Sequence, residues 1–296
     1  MVVITRYDLS RTELADLLEG EPNYRVDQVW EGLHSQHRDP ADLTNIPKKL
    51  RSAIESLLPA ALTPLREVSA DNGTTIKNLW QLSDGHLIES VLMHYRDRST
   101  VCVSSQAGCA MACSFCATGQ VGFDRHLTTG EIVEQVIRAS QHSVDKRVSN
   151  VVFMGMGEPL ANFDNVWSAI ERINTDIGIG ARKITVSTVG IIPGIERLAQ
   201  QKLPVSLAVS LHSANDKTRN HLAPINRTYP LRKLAECLQN YKRARNRRIS
   251  FEWAMMSEVN DTDEAARELA AFARPLNAHV NLIPLNPTPG YATSPS

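Results

Sequence analysis

The sequence predicts an α/β protein: an open, partial (β/α)6 barrel preceded by a small helical accessory domain and a short antiparallel β extension. Three observations carry this expectation. From residue 101 onward, short β-branched runs alternate with amphipathic stretches of helical length. Between residues 64 and 105 the apolar pattern changes to that of strands. Across the first sixty residues, apolar side chains recur at three- and four-residue spacing. The boundaries read as 1–62, 63–100 and 101–296.

In the first segment, residues 12–18, 24–33 and 47–58 predict helices, and 42–47 is a linker and helix start. A docking role and a plain helical cap on the barrel are both compatible with this segment. In the second, residues 74–82 and 86–94 predict strands joined by Ser83-Asp84-Gly85, a hairpin turn. In the third, strands are expected at 101–105, 150–154, 183–188, 204–211, 248–255 and 278–285. Helices are expected at 128–142, 162–174, 193–202, 230–246 and 261–274. Thr128 and Glu131 stand at capping-box spacing before the first of these. Such alternation gives a parallel sheet with right-handed crossovers, and ligands belong at the carboxyl ends of its strands. Residues 286–296 are rich in turn formers and read as loop.

The chain has 296 residues, with 32 Lys+Arg against 32 Asp+Glu, so no global charge draws it to a polyanion. Any RNA binding must come from local patches. The run Lys242, Arg243, Arg245, Arg247, Arg248 is one, read first as a solvated helix end and alternatively as a phosphate contact. Five cysteines, three of them in one loop, argue against a secreted disulfide framework. The N-terminus lacks a signal-peptide core, and no 18-residue apolar run exists. The expectation is a soluble cytoplasmic protein with no membrane partner, acting as a monomer.

Cys109, Cys113 and Cys116 stand at C-x3-C-x2-C spacing. A loop this short brings three thiolates to one metal centre and supplies no fourth. Three thiolates on a four-iron cluster leave one iron open, which the amine and carboxylate of S-adenosylmethionine can chelate. The alternative is structural zinc, with Cys102 or His126 as fourth ligand. Residues 101–105 lead into the loop as a strand, Gly108 gives backbone room, and Phe115 can cover one face of the centre.

Further along, Gly155-Met-Gly-Glu158 follows the second barrel strand. Its glycines permit close backbone approach, and Glu158 can accept hydrogen bonds from an ammonium group. Ser187, Ser210, Leu211, His212 and Asn286 stand at other strand ends, where small polar groups suit a ribose and a carboxylate. Taken singly, such a serine is a turn residue, His212 a hydrogen-bonded scaffold histidine, and Glu89 an exposed strand glutamate.

Together these stretches resemble the RlmN/Cfr family of radical S-adenosylmethionine RNA methyltransferases. The resemblance is carried by Cys102 to Gly119, Gly155-Met-Gly-Glu-Pro-Leu160, Val186-Ser-Thr-Val-Gly190, Ser210-Leu-His212, Pro224-Ile-Asn226 and residues 281–287. It covers roughly residue 10 to the end. It implies a radical-SAM barrel with a 4Fe–4S cluster on Cys109, Cys113 and Cys116. It implies S-adenosylmethionine bound by Gly157, Glu158, Ser187, Ser210, Leu211, His212 and Asn286. Glu89 would accept a proton, and Cys102 would resolve a covalent RNA adduct through a disulfide. The implied substrates are adenosines of 23S rRNA and tRNA, methylated at C2. An electron donor such as flavodoxin or ferredoxin is implied as well. Methylation at C8, direct hydrogen abstraction and a non-catalytic RNA-binding remnant are the alternatives.

The resemblance places a methyl-carrying cysteine beyond the sixth strand, and the sequence given stops at Ser296 before one. Cys237 matches no family motif. The expectation is a chain that binds cluster and S-adenosylmethionine but methylates RNA poorly or not at all.

Overall fold

The computed structural model describes residues 4–143, 146–286, 288, 290 and 291. In chain order the helices are α1 (Arg11–Leu17), α2 (Asn23–His34), α3 (Lys48–Leu57), α4 (Ala117–Val121), α5 (Thr129–His142), α6 (Phe163–Thr175), α7 (Ile192–Ala199), α8 (Asp216–Leu222), α9 (Leu231–Arg245) and α10 (Asp263–Ala273). The strands are β1 (Thr63–Ala70), β2 (Thr75–Gln81), β3 (Leu87–His94), β4 (Ser99–Cys102), β5 (Gln106–Gly108), β6 (Phe123–His126), β7 (Val148–Phe153), β8 (Ile184–Thr188), β9 (Ser206–Ser210), β10 (Ser250–Met255) and β11 (His279–Pro284). The six expected barrel strands are β4, β7, β8, β9, β10 and β11, and the five expected crossover helices are α5, α6, α7, α9 and α10. Most of residues 286–296 lie outside the described residues.

The chain forms two compact units. One comprises residues 1–105, 126–155 and 164–184. The N-terminal helices, the extension and the start of the barrel are therefore one body here, not consecutive blocks. Its strands pair in the order β1-β2-β3-β4-β7, antiparallel until β4 meets β7 in parallel. One face of this sheet is buried through Ile76, Trp80, Ile88, Leu92, Val101 and Val151. The amphipathic stripe of α5, with Ile132, Val133, Val136 and Ile137, is buried too. Its capping box forms as expected: the Thr128 amide donates to Glu131 at 2.9 Å and the Glu131 amide to Thr128 Oγ1 at 3.1 Å. The hairpin turn also forms, with Gly85 at φ +90° and its amide donating to Leu82 at 2.9 Å.

The second unit comprises 106–125, 156–163 and 185–296. Here β8, β9, β10 and β11 pair in parallel in that order. Val186, Leu207, Val209 and Phe251 are buried along these strands. The near-continuous buried runs of β8, β9 and β10 are those of strands covered on both faces, whereas β11 is exposed along nearly its whole length.

Three features went unread in the sequence. β1 is exposed along its whole length, so no alternation marks it, and Pro64 sits at its start as an edge strand allows. The ribbon of β5 and β6 flanks the cysteine loop. The helix α8 is only seven residues long, with Asn215 as its cap.

Candidate metal centre

The three-cysteine loop runs from β5 to α4 and is fixed by its own backbone. The Cys109 amide donates to Gly122 at 2.6 Å, closing the loop's base. Inside it, the Cys116 amide donates to Cys113 at 3.2 Å, and the Ser114 amide to Leu222 of α8 at 3.1 Å. The path is tight. Gly108 has φ +72°, and a Cβ there would collide with the Gly122 carbonyl. A Cβ on Gly119 would lie 2.9 Å from the Cys113 nitrogen. Ala112 adopts φ +50°, a conformation costing about 1–2 kcal/mol for a residue with a side chain.

All three thiols are partly exposed and free. Burial pushes Cys109 up to about 11, helped by the neighbouring charges of Glu158 and Cys116. Cys113 rises to about 12, through burial and then the charges of Cys116 and Cys109. Cys109 and Cys113 thus resist ionisation until a cation supplies the compensating charge. Among the described residues, no three His, Cys, Asp or Glu side chains converge on one point as a single ion requires.

Gly157 has φ +98°, and a Cβ there would sit 2.5 Å from Gln106 Cβ. The crowding that demands glycine comes from β5 itself. Gly155 is crowded likewise by Val103 and Ser104. The side chain of Gln106 then accepts from the Glu158 amide at 2.7 Å.

Glu158 is buried, and both its oxygens are engaged by backbone. Oε1 accepts from the Leu160 amide at 3.0 Å and Oε2 from the Val189 amide at 2.8 Å. Burial raises its pKa to about 7, against the pull of these bonds and of Thr188. The carboxylate ties the turn after β7 to the end of β8.

Ser187 and Ser210 close on each other, Oγ to Oγ at 3.3 Å. Leu211 is fully buried, and its amide donates to Glu252 at 3.0 Å. His212 adopts φ +55°. Its Nδ1 accepts from the Ala254 amide at 3.0 Å, and its ring meets Phe115 edge-on at 4.6 Å. Burial holds it down to about 3, so it is neutral with the proton on Nε2. Phe115 packs on a cluster of Leu222, Ala254, Met256 and Leu285. Asn286 is exposed just beyond β11.

Glu89 and Cys102 belong to the other unit. Cys102 pairs with Val91, two residues along β3 from Glu89, so the two side chains are diagonal neighbours on the half-exposed face of that sheet. Glu89 is paired with Lys77 at 3.0 Å. Cys102 is half-buried, and burial pushes its thiol up to about 11. Cys237 is buried in α9.

The basic run divides. Arg245 donates to the Gln201 and Leu203 carbonyls, and Arg247 to Ser206 Oγ at 3.0 Å. It lies where α9 enters β10, at the amino end of the strands and not at the carboxyl ends where the candidate ligands stand. Among the described residues, no helix is long and apolar enough to cross a membrane.

A sheet whose carboxyl ends gather these groups behind a three-cysteine loop is the radical SAM class of fold, and the family model described as the radical SAM superfamily matches residues 103–270. A crystallised radical SAM methyltransferase from Sphaerobacter thermophilus superposes with a TM-score of 0.95 at 45% identity, covering 99% of this chain and 88% of that one. A probable dual-specificity RNA methyltransferase RlmN of Chloroflexus aurantiacus is 47% identical over 96% of this chain and 80% of its own length. Its namesake in Corynebacterium diphtheriae is 46% identical with the same coverage. The chain belongs to the RlmN family of radical SAM methyltransferases. Enzymes of this family use a 4Fe–4S cluster and S-adenosylmethionine.

Proposed function

We propose that this protein methylates RNA, at C2 of adenosine in 23S rRNA and tRNA. Cys109, Cys113 and Cys116 would hold the cluster. Gly157, Glu158, Ser187, Ser210, Leu211, His212 and Asn286 would hold S-adenosylmethionine. The observation that carries this reading is the set of three half-buried thiols on one short loop braced at both ends. When bound, cluster and cofactor supply a one-electron cleavage of a carbon–sulfur bond and so a radical able to open a C–H bond.

The chain's own groups bind and orient. Glu158 fixes two backbone amides at the strand ends. The paired hydroxyls of Ser187 and Ser210 offer donors and acceptors to a ribose. Neutral His212 presents an Nε2–H while its Nδ1 is held by the backbone. The apolar cluster under Phe115 keeps water from one side of the loop. C2 of adenine must lose a proton once a carbon adds to it. Glu89, a strand carboxylate beside Lys77, is the acceptor this chain provides. Cys102 on the same face is the thiol available for exchange, and it reacts only once deprotonated.

An electron donor such as flavodoxin or ferredoxin, a monomeric state and a cytoplasmic location complete the reading. The five free cysteines support a reducing compartment. Anaerobic reconstitution with iron and sulfide tests it. The expected result is one cluster per chain and release of deoxyadenosine on reduction with S-adenosylmethionine, and, with 23S rRNA or tRNA and a chain that carries the methyl-bearing cysteine the family places beyond the sixth strand, label confined to adenosine C2. Label at C8 would reassign the regiochemistry. A single zinc and no cofactor cleavage would sink the assignment.

A further inference from the structure

Arg219, on α8, is the largest side chain with no exposed surface. Its guanidinium donates from Nε to the Leu211 carbonyl at 3.0 Å and from Nη1 to Asn226 Oδ1 at 2.8 Å. From Nη2 it reaches the Val189 carbonyl at 2.5 Å and the Ser210 carbonyl at 3.4 Å. Each acceptor is a neutral carbonyl or amide oxygen. Three of them belong to the residues that end β8 and β9, between and beside the serines and histidine of the site. The Pro224-Ile-Asn226 motif now has a physical reason. Asn226 Nδ2 donates to Asp216 and Asn220, both at 2.8 Å, which turns its oxygen towards Arg219.

The same short helix holds the cysteine loop from the other end, because Leu222 accepts the Ser114 amide between two of the cysteines. Burial pulls Arg219 down to about 10, so it keeps its charge at neutral pH, and the charges of Cys113 and then Asp216 favour its protonated form. A cation held by neutral dipoles keeps its field, which in a low dielectric reaches the nearest anionic centre.

We propose that Arg219 is a positioning residue of the metal centre, locking the ends of β8 and β9 and biasing the cluster towards its reduced state with a buried positive charge. The inference rests on the cluster reading above. An electron added to a thiolate-ligated cluster makes it more negative, so a nearby fixed cation favours the reduced form and raises its potential.

The test compares reconstituted wild-type protein with Arg219→Gln and Arg219→Lys. Two quantities are read: the cluster midpoint, by redox titration followed by electron paramagnetic resonance, and S-adenosylmethionine binding by equilibrium dialysis. Arg219→Gln removes the charge and is expected to lower the midpoint. Arg219→Lys keeps the charge but cannot reach three strand-end carbonyls, so its midpoint stays near wild type while the cofactor dissociation constant rises about tenfold. Equal midpoints in wild type and Arg219→Gln overturn this inference alone. Should Arg219→Gln not fold, a lowered midpoint in Arg219→Lys does the same. Wild-type protein that takes up no cluster overturns this inference and the function reading together.

Discussion

In the unit that contains the N-terminal helices, one network joins buried charges to opposite charges, although Glu131 and Arg172 there are held by backbone groups. Arg6 pairs with Asp39 at 2.7 Å, Arg138 with Asp39 at 3.2 Å and with Glu134 at 2.9 Å. Glu134 also accepts the Ala61 amide at 2.7 Å. In the unit that contains the cysteine loop, buried charges meet peptide groups instead. Glu158 is held by amide N–H groups and Arg219 by carbonyls, and Val189 offers its N–H to one and its C=O to the other. Opposite charges in contact cancel, and what remains is a fastening with little field beyond it. A charge solvated by neutral dipoles is equally well bonded but keeps its field for a ligand or an electron. The first arrangement is a structural joint; the second suits a site.

The contrast is open to breakage. Glu134→Ala should have the largest effect, about 3 kcal/mol in urea denaturation, because it takes from Arg138 its closest carboxylate, leaving Asp39 alone, and leaves the Ala61 amide without its acceptor. A loss under about 1 kcal/mol would mean the network is not a joint.

Gly157→Ala should follow closely, at about 2–3 kcal/mol. It combines a left-handed backbone with a collision against Gln106. Gly20→Ala is the control: φ is +94° but nothing lies within 4 Å, so about 1 kcal/mol is expected. Equal losses would show that the turn after β7 relaxes freely.

Protonation sharpens the comparison. Glu158 has a raised pKa, from an ordinary 4.5 to about 7, so its contribution is fully present below 4.5 and fades as pH rises through 7. The metal-free protein should lose at most about 3 kcal/mol across that window. His212, lowered to about 3, works oppositely, adding stability above its ordinary 6.5 that is lost on acidification. The difference between wild type and Glu158→Gln isolates the first slope. A difference that does not vary between pH 4.5 and 7 would contradict the burial of that carboxylate.

The smallest effect belongs to an exposed pair. Lys77→Ala should cost no more than about 0.5 kcal/mol, because Lys77 and Glu89 are both well solvated. Turnover, not stability, is where that change should register if Glu89 accepts the proton.

The cysteine loop was legible because its whole specification is local: three thiols within eight residues, a glycine before them and a strand leading in. Alternation of strand and helix was legible for the same reason, since period and turn chemistry are properties of neighbouring residues. β1 was not, because a strand exposed on both faces carries no alternation. Glycines 155 and 157 were read as room for a ligand, whereas it is the chain's own Ser104 and Gln106 that press on them. That pressure comes from a segment some fifty residues away. The basic run reads first as a solvated helix end with phosphate contact as the alternative, yet Arg245 and Arg247 are engaged by the turn before β9 and by Ser206.

By itself the sequence determined the alternation of strand and helix from residue 101 onward and the candidate ligands that follow its strands, because these depend on period and residue type. Only the tertiary structure decided which charges lose their water and what replaces it. Arg219 reads as one more polar residue in a short helix until its carbonyl partners, up to thirty residues distant, close around it. Burial is a property of packing, and a side chain's role here follows from what surrounds it rather than from where it stands in the chain.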